Sequence, residues 1–355
     1  MLKGSSDYVD FTIEYDGEPY GNKLKTMQQE IDKADILVLF NAKFDCHWLR
    51  RYGIRFTNKR IWDCQLVHFI LNYQRVPYPS LNDVAASLGL GQKLDIIKLE
   101  YWDKGIDTPD IPLDILLEYQ EQDVQLTYQV YEKQLELVRE RNIQALCLLH
   151  NMDLLMLEEM EWNGMKYDST ASIIEGDEIE KQISELDISV KRYWPELPIN
   201  LSSPDHISAI LYGGTIRWKE REDFLFTYKD AKKEPVWKSK VVEKEVEVDR
   251  QVEPLKGTES KKEGNFATNE DTLRSLKVRG VAKRIIDALL DRRGLEKLRG
   301  TYLHGIPKKI VEAEWEDSLL HGNLNQCRVI TGRLSSDKPN MQNMDKLVKK
   351  FFRSR

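Results

Sequence analysis

A short apolar segment, Ile36 to Phe40, lies between two stretches that have the spacing of amphipathic helices. Five apolar residues in succession predict a β-strand buried on both faces, as in a parallel or mixed sheet. Residues 22–32 predict a helix before this strand, and a second helix is predicted to begin at about Phe44. No apolar run is longer than five residues, whereas a helix that spans a bilayer needs about 20. The segment therefore predicts an α/β domain and no membrane partner.

The period of the apolar residues changes along the chain. Residues 9–15 alternate and predict a half-buried strand, whereas residues 113–141 carry one apolar stripe and predict a long helix. Strand and helix patterns alternate up to about residue 141, and the remainder is mainly helical. The helices predicted in that remainder cover residues 145–162, 172–194 and 281–303.

A charged region near residues 219–264 interrupts the helical part. Residues 224–228 and 236–242 have the composition of strands around a Lys-Asp-Ala-Lys-Lys turn. Residues 243–253 are almost all charged residues and valine. The pattern predicts a hairpin or a flexible insertion on the surface.

The distribution of charge bears on possible partners. The 355 residues carry 59 acidic and 53 basic side chains, a formal net charge of −6. Two late stretches are nevertheless basic. Residues 281–310 hold eight Lys/Arg and three Asp/Glu, and residues 333–355 hold seven Lys/Arg and two Asp/Glu. Such stretches can hold a phosphate backbone locally, although solvated helix faces have the same composition. Both interpretations remain open at this point.

The length predicts two or three domains. Four cysteines lie far apart without the spacing of a disulfide framework, and the first residues contain no apolar targeting core. We therefore expect reduced thiols and a cytoplasmic protein.

Two sets of polar residues have positions that suit phosphoryl chemistry. Asp45 follows the buried strand at a helix start, the edge at which open α/β sheets place ligands, although an Asp there can also cap the helix. Tyr119 and Asp123 are four residues apart and share one helix face. Carboxylates can hold Mg²⁺, and a neighbouring phenol can orient a water molecule. A solvated acidic helix face is the alternative for the second set.

A zinc site is a further alternative. Its ligands would be Cys46, His47, Cys64 and His68, which are residue types that tetrahedral zinc accepts. Their spacing matches no known finger pattern.

A loop-like segment at residues 331–343 concentrates hydrogen-bond donors. Gly332 and Pro339 punctuate it, and one Arg stands among Ser, Asn and Gln side chains. Such side chains suit phosphate, sugar and minor-groove contacts, which position a duplex without reading much sequence. A Ser/Asn-rich turn without a ligand is the alternative.

Two of these segments resemble known exonuclease motifs. Asn-x-x-Phe-Asp, ending at Asp45, and Tyr-x-x-x-Asp, ending at Asp123, resemble the second and third motifs of the tyrosine-type DEDD exonucleases in family A (bacterial polymerase I-like) DNA polymerases. The resemblance implies an RNase H-like fold and 3′-5′ proofreading. It implies that Asp123 binds metal directly and Asp45 mainly through water. It also implies that Tyr119 orients the attacking water and that Asn41 touches the DNA 3′ end.

Residues 331–343 resemble the Thr-Gly-Arg-Leu-Ser-Ser-x-x-Pro-Asn-Leu-Gln-Asn motif of the same family, with Met341 for the usual Leu. There the motif binds primer–template before the catalytic palm segments. Residues 289–302 resemble the thumb helix that grips the duplex. The DNA-binding residues implied by the resemblance are Arg293, Lys297, Tyr302, Arg333, Ser335, Asn340, Gln342 and Asn343.

The sequence departs from the family at both ends. The family's Asp-x-Glu motif has no good candidate, because Asp10 and Glu14 are about 13 Å apart at ~3.3 Å per residue, and Asp16-Gly17-Glu18 reads as a turn. The chain stops at Arg355, ahead of the expected palm aspartate. We therefore expect a chain truncated at both ends. We also expect an incomplete two-metal site for Mg²⁺ or Mn²⁺ and no polymerisation by this chain alone.

The fold class predicted is α/β plus mainly-α. An RNase H-like exonuclease domain is predicted at residues 1–141, thumb and connecting helices at 142–320, and the start of the palm at 321–355. The predicted function is part of a DNA-directed DNA polymerase with proofreading, acting in DNA replication in a bacterial or phage-infected cytosol. Its partners would be primer–template and single-stranded 3′ ends. The alternative is a catalytically silent primer–template-binding fragment that needs a complementing polypeptide.

Overall fold

A computed structural model describes residues 2–3, 8–9, 21–91, 96–227 and 235–354. Apart from Val9, the predicted strand at 9–15 lies outside the described residues, as do the turn that follows it and the turn predicted inside the charged insertion. Within the described ranges, no helix combines the length and apolarity needed to cross a membrane.

The helices and strands are numbered in chain order over the described residues. The helices are α1 (Gly21–Lys33), α2 (Ala42–Arg51), α3 (Cys64–Leu71), α4 (Leu81–Ser87), α5 (Ile96–Glu100), α6 (Leu113–Glu140), α7 (Gln144–Asn163), α8 (Ser169–Lys191), α9 (Pro204–Tyr212), α10 (Glu270–Ser275), α11 (Gly280–Lys297), α12 (Gly305–Glu312) and α13 (Lys346–Lys349). The strands are β1 (Leu2–Lys3), β2 (Tyr8–Val9), β3 (Ile36–Leu39), β4 (Arg60–Asp63), β5 (Met165–Tyr167), β6 (Gly214–Phe226), β7 (Val236–Val248), β8 (Leu319–Leu320), β9 (Asn323–Asn325), β10 (Ser335–Asp337) and β11 (Phe352–Arg353).

Packing divides the chain into two compact units. The first contains residues 1–167, 315–344 and 353–355, and the second contains residues 168–314 and 345–352. These units differ from the three predicted segments because α7 packs on α2 and β4, and β9 packs on α7, all within the first unit. The three-segment division, which follows sequence motifs, stays a prediction.

The first unit is built around two parallel strands. Strand β3 pairs with β4 in parallel, with Leu39 opposite Asp63, and α2 connects them. The Trp62 indole N–H donates to the Gln134 side chain of α6 at 3.0 Å, and Gln134 donates to the Cys64 carbonyl at 2.8 Å. These bonds hold α6 against the strand ends. Parallel strands with helices packed on them agree with the predicted α/β region.

The second unit is mainly helical, as predicted. Its core combines α9 with α11, in which Ile210, Leu211 and Leu289 are buried. Arg292 is also buried and pairs with Asp187 and Glu296. A buried guanidinium needs such partners, since an unpaired buried charge is costly.

The charged insertion forms an antiparallel hairpin that is longer than predicted. Strands β6 and β7 pair along 13 residues each, and the charged stretch that begins at Glu243 continues β7 to Val248. Cross-strand ion pairs stabilise this polar ladder, for example Lys244 with Glu220 at 2.9 Å. Because neither face of the outer hairpin is apolar, the alternation of apolar residues underestimates the length of these strands.

Candidate functional site

The carboxylate of Asp63 joins the ends of both parallel strands. Its side chain is 4% exposed and accepts the backbone N–H of Asn41 at 3.1 Å and of Ala42 at 3.0 Å. It also caps α3, accepting the N–H of Gln65 at 2.9 Å and of Leu66 at 3.4 Å. Burial raises the pKa of this carboxyl, while the four N–H donors oppose that effect because they stabilise the carboxylate.

Asn41 adopts the left-handed conformation at the start of α2, with φ 62° and ψ 54°. A non-glycine residue rarely adopts this conformation, and here the two N–H bonds to Asp63 hold it. The Asn41 side chain is exposed and forms no capping bond to the helix. The helix start therefore leaves this side chain exposed and without a capping bond.

Asp45 lies in the first turn of α2 and is partly buried. Burial raises the pKa of its carboxyl to about 7, and the negative charges of Asp63 and Asp123 act in the same direction. Asp123 belongs to α6, so the charge of that helix acts on the carboxyl of α2. A cluster of like charges in a partly buried place is the electrostatic condition in which a bound cation is favourable.

Tyr119 and Asp123 lie one turn apart on α6, both partly buried. The Tyr119 ring packs edge-on against Trp102, with centroids 6.5 Å apart and an interplanar angle of 78°. It also packs against a small apolar cluster that contains Ile111 and Leu116. These contacts fix the direction in which the phenol points.

The metal-binding capacity of the described residues is limited. Asp45 and Asp123 offer the hard oxygen ligands that Mg²⁺ and Mn²⁺ prefer. No group of three or more His, Cys, Asp or Glu side chains within the described ranges could hold a metal ion. The donor chemistry therefore fits, but the described ligand set is incomplete.

The same holds for the predicted zinc alternative: within the described ranges, Cys46, His47, Cys64 and His68 do not form a group that could hold a metal ion. Burial raises the pKa of the Cys46 and Cys64 thiols well above the ordinary value, which disfavours the thiolate that zinc binds. The side-chain amide of Asn72 lies 2.9 Å from Nε2 of His68.

Lys43 of α2 connects this helix both to α7 and to β9, the strand that precedes the residue 331–343 motif. The Lys43 ammonium donates to Glu161 of α7 at 2.6 Å and to the Leu324 carbonyl of β9. The Glu161 carboxylate also accepts the Leu324 backbone N–H. The Lys43 and Glu161 side chains are 18% and 5% exposed. We call this arrangement the Leu324 clamp, since it holds both backbone polar groups of one strand residue.

A second buried pair supports the clamp. Glu158 is fully buried on α7 and accepts two bonds from Arg50 Nε and one from its Nη2, at 2.7 to 3.0 Å. His47 lies between the two acids, with Nε2 3.8 Å from Glu158 and 3.7 Å from Glu161. One face of α2 is therefore fixed to α7 by charge.

The hydroxyl of Ser336 organises the residue 331–343 motif. Ser336 is buried on β10, opposite Leu324 of β9. Its Oγ accepts the N–H of Met341 at 2.9 Å and of Gln342 at 3.2 Å. Asn340 Oδ1 accepts the N–H of Gln342 at 3.2 Å and of Asn343 at 3.3 Å. The loop after β10 is thus closed by its own side chains.

The predicted DNA-binding residues of this motif lie mostly at the surface. Arg333 is exposed and has no ion pair with any described residue, while Ser335 is partly buried. The Gln342 amide donates to the Leu334 carbonyl at 2.9 Å. The exposed predicted residues are Arg333, Asn340, Gln342 and Asn343.

The predicted residues of the second unit have different environments. Lys297 at the end of α11 is exposed. Arg293 is partly buried, donates to the Thr268 carbonyl, and burial lowers its pKa. Tyr302 is 6% exposed. Burial therefore argues against direct DNA contact by Tyr302. Arg293 is already hydrogen-bonded to the Thr268 carbonyl within the unit. The sequence pattern did not distinguish these two positions from the exposed Lys297.

Sequence reasoning missed three residues that shape the site: Asp63, Glu161 and Ser336. Asp63 carried a usable local signal, because an acid immediately before an apolar helical stretch favours an N-cap, although neither β4 nor α3 was predicted. Glu161 carried none, since its partners are 118 and 163 residues away in the sequence.

Two family models match the chain. The model described as 3′-5′ exonuclease matches residues 18–138, and the model described as DNA polymerase family A matches residues 239–354. The first match contains Asp45, Tyr119 and Asp123, and the second contains the residue 331–343 motif. The matches confirm the resemblance predicted from the sequence and the predicted class of an α/β region followed by a mainly helical one.

Relatives cover most of the chain at low identity. The DNA polymerase of Bacillus phage SP01 is 25% identical over 365 residues, which are 94% of this chain and 36% of the relative. DNA polymerase I of Synechocystis sp. is 26% identical over 315 residues, 86% of this chain and 27% of the relative. The chain thus spans about a third of the length of these relatives.

A solved structure supports the fold. The POL domain of Pol1 from M. smegmatis, in complex with DNA primer-template and dNTP, has a TM-score of 0.64 at 17% identity. It matches 94% of this chain and 48% of its own chain.

Replacing Asp45 with Asn is expected to stabilise the metal-free chain at pH 8. Because the pKa of Asp45 rises from 3.8 to about 7 on folding, the folded state keeps a proton that the unfolded state has lost. Stability from this group is present at acidic pH and is lost as the pH rises from 4 to 7. We expect D45N to gain about 2 to 4 kcal/mol over the parent at pH 8 and little at pH 4, by urea unfolding. A loss of stability at pH 8 would contradict this assignment.

Breaking the Leu324 clamp is expected to destabilise the chain. Lys43→Met leaves the Glu161 carboxylate buried without its cation, which should cost about 3 kcal/mol in urea unfolding. Lys43→Met combined with Glu161→Gln removes that charge, so the double variant should recover part of the loss. Lys33→Met, which breaks the exposed pair with Glu30, is the control and should change stability by less than ~0.5 kcal/mol. Equal effects of the two lysine substitutions would rule out the clamp.

Proposed function

We propose that the chain belongs to the family A DNA polymerases and forms part of a DNA-directed DNA polymerase that carries a 3′-5′ exonuclease and acts in DNA replication. One observation carries the proposal. The carboxylates of α2 and α6 and the residue 331–343 motif belong to the same compact unit. A nuclease site and a DNA-binding segment are thereby built on one core. The relatives come from a bacteriophage and from bacteria, and we place the activity in a bacterial or phage-infected cytosol.

In the exonuclease site, Asp45 and Asp123 would hold the divalent ions that such nucleases use, together with ligands beyond the described residues. Such ions supply charge neutralisation at the phosphate and an activated water. The chain's own part is positioning. Tyr119, whose ring packs against Trp102, would orient a water molecule, and Asn41 at the start of α2 would contact the 3′ end.

In the polymerase segment, we propose that the loop closed by Ser336 presents its exposed side chains to primer–template. Arg333 would contact a phosphate or a groove edge, and the amides of Asn340, Gln342 and Asn343 would contact sugar or base edges. In the second unit, Lys297, which is exposed at the end of α11, would make a phosphate contact.

A nuclease time course tests the exonuclease assignment. With 5′-labelled single-stranded DNA and Mg²⁺ or Mn²⁺, we expect stepwise shortening from the 3′ end by the parent chain. Asp123→Ala should reduce the rate at least ~100-fold, since carboxylate ligands hold the metal that catalyses phosphoryl transfer. Glu121→Ala, an exposed acid two residues away on α6, is the matched control and should retain the parent rate. No shortening by the parent, or equal rates for Asp123→Ala and the parent, would exclude the assignment.

Binding of primer–template tests the second assignment. Arg333→Ala should weaken binding several-fold and reduce the slope of log affinity against log salt by about 1, because one phosphate contact is lost. Arg221→Ala, an exposed arginine on the β6–β7 hairpin, should change neither quantity. Fluorescence anisotropy at four salt concentrations measures both the affinity and its salt slope. An unchanged affinity and slope for Arg333→Ala would remove Arg333 from the interface.

A further inference from the structure

Helix α2 presents three different faces over its 10 residues and the C-cap that follows. The first face packs in the core, the second pairs with α7, and the third is exposed and carries aromatic rings. In that order, the faces contain Ala42, Cys46 and Leu49; Lys43, His47 and Arg50; and Phe44, Trp48, Arg51 and Tyr52.

The third face, which we call the aromatic face of α2, has an ordered geometry. Phe44 is 61% exposed and Trp48 is 47% exposed, large values for residues of this size. The rings of Phe44 and Trp48 are 6.5 Å apart between centroids, and those of Trp48 and Tyr52 are 6.3 Å apart with only 20° between their planes. The guanidinium of Arg51 lies 5.8 Å from the Trp48 centroid.

This face borders the nuclease carboxylate. In a helix, residues three and four apart are neighbours, so Asp45 lies beside Trp48 and on the edge of the aromatic face. The third face therefore exposes the Phe44 and Trp48 rings beside Asp45, with the half-buried Tyr52 and the exposed Arg51 in the following turn. The side of α2 that faces α7 is instead closed by buried ion pairs.

We propose that the aromatic face of α2 binds unpaired bases of single-stranded DNA, with Trp48 as the central stacking residue and Arg51 as a phosphate contact. This inference rests on the proposed exonuclease function and names the path by which the strand reaches its site. Rings interleaved with a basic side chain are how single strands are held without sequence preference, because every base has a π-face. The face runs about 12 Å along the helix, enough for two or three nucleotides.

The position of this face favours single-stranded DNA over a protein partner. Rings and an arginine suit either occupant, and the aliphatic residues of α2 point to the core. Arg51 has no ion pair with any described residue, so its charge is free for a phosphate. The face is also continuous with a site whose substrate would be a DNA 3′ end.

The test compares two oligonucleotides with equal phosphates: a 12-residue oligo-dT and an abasic 12-mer, both bound by the full chain in EDTA to prevent cleavage. Trp48→Ala should weaken oligo-dT binding roughly ten-fold and leave abasic binding unchanged, because only the stacking contact is lost. Trp48→Phe should retain most of the affinity. Trp237→Ala, a tryptophan 74% exposed on β7, is the matched control and should behave as the parent. Arg51→Ala should lower the salt slope by about one for both oligonucleotides.

The outcomes separate this inference from the exonuclease proposal. If the parent binds oligo-dT and Trp48→Ala binds it equally well, the aromatic face is not a DNA path, and the exonuclease proposal stands. If Trp48→Ala loses affinity equally for both oligonucleotides, stacking is not its role, and the inference is again overturned. If the parent binds neither oligonucleotide at low salt, both the inference and the exonuclease proposal fail.

Discussion

One buried carboxylate, that of Asp63, determines how the two parallel strands end. It accepts four backbone N–H groups, two from the start of α2 and two from the start of α3. Without an acceptor these donors would be buried and unpaired, and each would cost roughly 1 to 3 kcal/mol. The same bonds hold Asn41 in a left-handed conformation, and that conformation sets the direction in which α2 leaves the sheet. The position of Asp45 and the exposure of the aromatic face both follow from it.

A second layer of organisation is ionic. Lys43 and Glu161 hold both backbone polar groups of Leu324, and Leu324 pairs with Ser336 across β9 and β10. Ser336 in turn accepts the backbone N–H groups of Met341 and Gln342 and so closes the loop that follows β10. Lys43 and Asp45 are two positions apart, so one short segment of α2 carries the proposed nuclease carboxylate and also supports the proposed DNA-binding motif. Buried pairs of this kind add more to the uniqueness of an arrangement than to its stability.

Local pattern predicted much of this molecule. The apolar run of β3 and the long period of α6 are each encoded in one continuous stretch, so the sequence sufficed for them. The segment at residues 331–343 was predicted to be a loop but contains strand β10, which pairs with β9. The sequence also placed Asp45 and Asp123, because carboxylates at a strand end and on a helix face are local signals.

The sequence failed where partners are distant or where burial decides the role. Glu161 reads as an ordinary helix acid until α2 and β9 pack on it. Tyr302 and Arg293 share a basic, aromatic pattern with Lys297, and only packing separates the buried Tyr302 and the partly buried Arg293 from the exposed lysine. The β6–β7 ladder was underestimated because cross-strand charge pairs, rather than an apolar face, support it.

The division into units has a consequence for biosynthesis. Each unit is interrupted in sequence: the first needs residues 315–344, and the second needs residues 345–352. On the ribosome, neither unit can complete its packing until these last segments emerge, because contacts such as that of Lys43 with Leu324 span 281 residues. Contacts of such high sequence separation form slowly, and nascent chains with incomplete cores are prone to aggregate. During synthesis, α2 and α7 therefore lack their contacts with β9 until residues 168–314 of the second unit have been translated.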